Sequence, residues 1–94
     1  MPTVRRLIWD TFNVPHIARH DVTPDEVEEV CHGAHVDLQS YQRRLVVIGP
    51  TEAGRMLAVV LDHVGHGVYY PVTARPASRK ERQYYQEQQG GDTS

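Results

Sequence analysis

There is no second cysteine in this sequence. Cys31 stands alone and no CxxC occurs, so an internal disulfide is excluded. Cys31 falls in a helical run and reads as a small core hydrophobe, which fits a reducing compartment. Long apolar runs are missing as well. Nothing approaches the roughly 18 consecutive apolar residues of a membrane helix. The opening stretch, Met1 to Asp10, lacks the apolar segment of a secretory signal. A cytoplasmic protein is expected. No internal repeat is visible.

Lysine is nearly absent, Lys80 being the only one, and neither sign of charge dominates: the net charge is −2. Alone, that balance argues against a nucleic-acid binder. The distribution says more. Residues 1–38 carry three basic and seven acidic side chains, whereas residues 39–89 carry seven basic and four acidic ones. The basic set of the second part is Arg43, Arg44, Arg55, Arg75, Arg79, Lys80 and Arg82. Arginine presents a planar fork that grips phosphate through paired hydrogen bonds. A plain solvated basic face is the competing reading.

The six histidines raise a metal site. His16 and His20 have ligand spacing on one helix, but Ile17 stands where an HExxH motif needs glutamate. His32/His35 and His63/His66 lie near pattern breaks, and no cysteine joins them. No metal and no other cofactor is expected.

The 94 residues, 39% hydrophobic, leave room for one domain with a modest core. We read residues 1–89 as that domain and 90–94 as a flexible tail. Arg5 to Trp9 reads as an opening strand. Asp10 caps a short helix over Thr11 to His20, with Pro15 in its first turn. Thr23-Pro24-Asp25-Glu26 is a capping-box helix start, and Gly33 ends that helix. Strands follow at Arg43 to Gly49, Met56 to Asp62 and Val68 to Ala74, rich in β-branched and aromatic residues. The links between them are short, which predicts an antiparallel meander. Pro71 points to an edge or a bulge. Ser78, with Glu81 three residues on, starts a last helix running to about Gln88. The fold class is α+β, in the order β-α-α-β-β-β-α, with one antiparallel sheet packed by helices.

Several stretches, taken in order, carry a resemblance. They are Trp9-Asp10, Asn13, and His16-Ile17-Ala18-Arg19-His20-Asp21-Val22-Thr23. Then come Arg44-Leu45-Val46-Val47-Ile48-Gly49 and Gly54-Arg55-Met56-Leu57-Ala58-Val59-Val60. The most specific is Thr73-Ala74-Arg75-Pro76-Ala77-Ser78-Arg79-Lys80-Glu81-Arg82, followed by Tyr85. Together they resemble the BrnT-type toxins of bacterial toxin–antitoxin pairs. The resemblance implies a RelE-like fold and a metal-independent endoribonuclease that blocks translation. It also implies a cognate antitoxin, expected to be of the ribbon-helix-helix DNA-binding type. That partner would cover the toxin and bring it to operator DNA. No membrane partner is implied. The family usually reads Lys-His-Gly where this chain has Arg19-His20-Asp21. Arginine keeps the positive charge but stays protonated, and Asp21 adds a negative one.

Metal-free RNA cleavage makes the ribose 2′-hydroxyl the nucleophile. It needs a base for that proton, cations for the phosphorane charge and an acid for the leaving oxygen. Arg55, Arg75 and Arg79 are the candidate cations, with Arg19 assisting. His20 is the candidate for proton transfer and Glu52 a second base. Arg43, Arg44, Lys80, Arg82 and Tyr85 are candidates for holding RNA. Each arginine could instead form an ordinary ion pair with Glu52, Glu81 or Glu87. His20 could simply hold the turn at the helix end. Tyr85 could be core. A catalytically weakened module that binds RNA or a partner is the alternative function, and the Arg19 and Asp21 departures favour it.

Overall fold

The local chemistry of the helix starts organises the chain. The computed structural model describes residues 4–40 and 44–90. The first strand, β1, is Arg6–Leu7. After it, the Asp10 carboxylate accepts the backbone N–H groups of Phe12 and Asn13, while Asn13 Oδ1 accepts the Asp10 N–H. That reciprocal clasp starts helix α1, Asn13–Ala18, which is shorter than the expected span from Thr11 to His20. The chain turns at Asp21, whose φ of 60° is left-handed. Thr23 then caps helix α2, Pro24–His32. Its hydroxyl accepts the Glu26 N–H and Glu26 reaches back to the Thr23 N–H.

Four strands follow where three are expected: β2 Val36–Gln39, β3 Arg44–Pro50, β4 Met56–Gly65 and β5 Val68–Pro76. Helix α3 closes the order at Arg79–Gly90. The meander β3-β4-β5 is antiparallel, as the short links require. Two features correct the expectation. Strand β2, absent from the sequence reading, pairs antiparallel with β3, Val36 opposite Ile48 and Leu38 opposite Val46. Strand β1 adds to β5 in parallel, so the sheet is mixed, in the order β1-β5-β4-β3-β2. The element order is therefore β-α-α-β-β-β-β-α.

The β4–β5 hairpin turns on His66 and Gly67, with φ of 53° and 80°. Positive φ at both central residues matches the right-handed twist of the strands, so the turn needs only two residues and β4 extends to Gly65. Near Pro71, Val60 pairs with Thr73 and Leu61 with Pro71, leaving Val72 as the extra residue of a bulge.

Both faces of the sheet are apolar, and each has its own cover. Leu45, Val47, Leu57, Val59, Leu61 and Ala74 pack with Ile17, Val27, Val30 and Cys31 of α1 and α2. The alternating residues Val46, Ile48 and Ala58, with Val36, pack beneath Tyr84 and Tyr85 of α3. Leu57 is fully buried in the first cluster, so Leu57→Ala costs about 2–5 kcal/mol. No helix among the described residues is long and apolar enough to cross a membrane.

Candidate functional site

Arg55 lies just before β4, and the strand alternation puts it on the side of α1 and α2. Both of its Nη groups are engaged there. Nη1 donates to the Asp21 carbonyl and to both Glu26 carboxylate oxygens at 3.2 and 3.3 Å, and Nη2 donates to the His20 carbonyl at 3.2 Å. The Arg55 backbone N–H donates to Thr51 Oγ1, itself buried. Arg55 thus ties the β3–β4 turn to the α1–α2 corner, more than 30 residues away along the chain. Only the backbone of His20 takes part in this tie. Its ring sits edge-on to His16, centroids 6.3 Å apart. Arg19, at the C-terminal end of α1, is exposed. Glu52 is exposed in the same β3–β4 turn, and its backbone N–H donates to Glu29 Oε1.

Arg75 occupies the opposite face. Its cross-strand partner is Ala58, which belongs to the cluster beneath α3. Its fork closes on one carboxylate: Nη1 to Glu81 Oε1 at 2.7 Å and Nη2 to Glu81 Oε2 at 2.8 Å. Glu81 is also the third helical residue of a capping box. It accepts the Ser78 N–H while Ser78 Oγ accepts the Glu81 N–H. The Arg75 hydrogen bond is the largest influence holding the Glu81 carboxyl at about 2, against an ordinary 4.5. The same bond, partly opposed by burial, pushes the Arg75 guanidinium up from its ordinary value.

Around this second corner, Arg79, Lys80 and Arg82 are exposed. Arg82 Nη1 donates to the Ala77 carbonyl at 3.0 Å. Among the described residues, no carboxylate lies within ion-pair distance of Arg79, Lys80 or Arg82. Tyr85 packs against the apolar cluster beneath α3, half-buried beside Tyr84. Arg44 pairs with Asp62 at 3.0 Å. It lies on the same face as Arg75 but four residues further along β4 and on that strand's other side, roughly 16 Å away. Arg43 lies outside the described residues.

The candidate residues therefore form two groups. Arg19, the His20 backbone, Glu52 and Arg55 gather where α1 meets α2. Arg75, Arg79, Lys80 and Arg82 gather where β5 meets α3. The sheet separates Arg55 from Arg75, and each is held by its own carboxylate. The convergence of Arg55, Arg75 and Arg79 expected from sequence is not what this geometry brings together. Of the anticipated ion pairs, Arg75–Glu81 forms. The role of Glu26 as the Arg55 partner was missed, although its place in the capping box was readable.

A further pair also escaped the sequence reading. Tyr70 donates its hydroxyl to the Asp10 carboxylate at 2.9 and 3.0 Å, across the β1 edge. The Asn13 backbone N–H, then the Phe12 backbone N–H and the Tyr70 hydroxyl, hold Asp10 below its usual value, partly offset by desolvation. Desolvation first, then Asp10, pushes the Tyr70 phenol up. Burial, with a smaller contribution from Glu28, pushes the Cys31 thiol up to about 12, which removes it as a nucleophile near neutrality. Among the described residues, no group of three or more His, Cys, Asp or Glu side chains is placed to hold a metal ion. A scan against protein-family models and a search of curated proteins find no match to this chain.

Proposed function

We propose that this chain is an RNA-acting protein of the RelE-like toxin fold, the BrnT-type half of a type II toxin–antitoxin pair. Metal-independent endoribonuclease activity that blocks translation is the proposed outcome, carried by the β5–α3 corner. The observation that supports this reading is local. The most specific family-like stretch, Thr73 to Tyr85, folds as one corner, with Arg75 on the sheet and Arg79, Lys80 and Arg82 exposed beside it. Four cations and a single carboxylate fall between residues 75 and 82 there, which suits the phosphates of an RNA backbone. The cognate antitoxin, of ribbon-helix-helix type, would mask this basic corner and supply the contact with operator DNA.

A second reading rests on a specific observation. Arg55 is spent on the α1–α2 tie, and the hydrogen bonds of the β5–α3 corner join arginine, serine, glutamate and backbone without a histidine. An RNA- or partner-binding module that no longer cleaves would have this arrangement. Incubation of purified protein with single-stranded RNA in excess EDTA separates the readings. Cleavage that disappears in Arg79→Ala supports the nuclease. Arg79-dependent binding without cleavage supports the module. Neither binding nor cleavage overturns both.

A further inference from the structure

The capping box at the start of α3 does not need a negative charge. Glutamine serves as well as glutamate at that position, because the Ser78 N–H needs only an acceptor oxygen. Glutamate here does something more: both of its oxygens are gripped by the Arg75 fork. A phosphate presents the same pair of acceptor oxygens to an arginine. The other contact of the Arg75 guanidinium is a long one, 3.4 Å to the Pro76 carbonyl. Removing the Glu81 charge would therefore leave the fork without a strong acceptor. Arg55 differs, because two backbone carbonyls would still hold it if Glu26 were neutral.

We propose that Glu81 is an intramolecular mask on Arg75, an internal carboxylate that an incoming phosphodiester must displace before the fork can grip it. The pair is exchangeable. The Arg75 side chain is 38% exposed and the Glu81 side chain 21%, so solvent screens their attraction. The surroundings favour exchange toward an anion of higher charge, since Arg79 and Lys80, the two residues before Glu81 at the start of α3, are both exposed. Displacement leaves the helix start capped by Ser78 Oγ on the Glu81 N–H. The mask weakens binding of stray anions and reserves the corner for a ligand that also engages neighbouring cations. The ligand in this inference rests on the RNA reading; the mask itself does not.

Inorganic phosphate, titrated against the Arg75 Nε–Hε signal by NMR at neutral pH, is the probe. Glu81→Gln should bind phosphate at Arg75 roughly fivefold more tightly than the unaltered protein, the equivalent of a screened ion pair. Glu26→Gln should give no such gain at Arg55. Equal phosphate affinity in folded Glu81→Gln and the unaltered protein overturns the proposal. A second measurement needs no variant. Saturating phosphate should shift the Glu81 Cδ signal together with that of Arg75, and a Cδ signal that stays still overturns the mask. Short single-stranded RNA added to the same samples keeps the two claims apart. A phosphate gain without RNA binding sinks the RNA reading alone. RNA binding unchanged by Glu81→Gln sinks the mask alone.

Discussion

At the start of α2, a threonine and a glutamate three residues on cap the helix, and an arginine just before β4 grips that glutamate. At the start of α3, a serine, a glutamate and an arginine repeat the arrangement on the other face. What differs is the remainder of each arginine's bonding. Arg55 also holds two backbone carbonyls of the α1–α2 turn and so joins distant segments. Arg75 holds a glutamate six residues away in the chain and little else. One corner is a tie that the fold depends on. The other is a local clasp within a basic, exposed surface, and its arginine is available for exchange.

The largest stability effect should therefore fall on the α2 side. Arg55→Ala removes the tie and leaves Glu26, only a quarter exposed, without its cation. A loss of about 2 kcal/mol is expected, from hydrogen bonds to a charged group. In a domain of this size that lowers Tm by roughly 10 °C, measurable by thermal unfolding. Next come the caps themselves. Thr23→Ala and Ser78→Ala should each cost about 1 kcal/mol in urea unfolding, because each strips one acceptor from a helix start. Arg75→Ala should cost about 1 kcal/mol: the two pairs are similarly exposed, but Arg75 holds no distant backbone carbonyls as Arg55 does. Yet it should weaken RNA binding in a fluorescence anisotropy titration, whereas a folded Arg55 variant should bind RNA as the unaltered protein does. Equal stability losses for Arg55→Ala and Arg75→Ala would erase the distinction.

The smallest effect is in acid. Glu81 is held at about 2, below its ordinary 4.5. Its folded-state value is depressed, so its contribution is complete above about 4.5 and is lost as pH falls through about 2. Glu81→Gln should therefore lower stability modestly at and above about pH 4.5, where the ionised carboxylate contributes in full, and converge with the unaltered protein in acid, so that its acid limb is flatter. An acid limb identical in both proteins would contradict the Arg75–Glu81 geometry.

Much of the fold was readable because its signals are local. Thr23 and Glu26, Ser78 and Glu81, and the short links between β3, β4 and β5 each announce themselves within a few residues. Strand β2 was not readable. Val36-Asp37-Leu38-Gln39 is a four-residue alternation that becomes a strand only through pairing with β3. The parallel addition of β1 to β5 joins the chain's opening residues to its last strand, beyond the reach of any local pattern.

The site was less legible than the fold, for a physical reason. β3 and β4 are buried on both faces, so Leu45-Val46-Val47-Ile48 and Leu57-Ala58-Val59-Val60 carry no inward-outward alternation. Nothing along the chain says that Arg55 looks toward α1 and α2 while Arg75 looks toward α3. Chain spacing placed the arginines in neighbouring elements. The sheet between them decides that they do not meet.

The central claim is that RNA addresses the β5–α3 corner and leaves the α1–α2 corner alone. The direct measurement is a backbone and arginine side-chain NMR titration of the full chain with a short single-stranded RNA in EDTA. The account predicts shifts concentrated at Thr73, Arg75, Arg79, Lys80 and Glu81, with Arg19, His20 and Arg55 unmoved. Shifts centred on Arg19 to Asp21 and Arg55, or no shifts at saturating RNA, would contradict it.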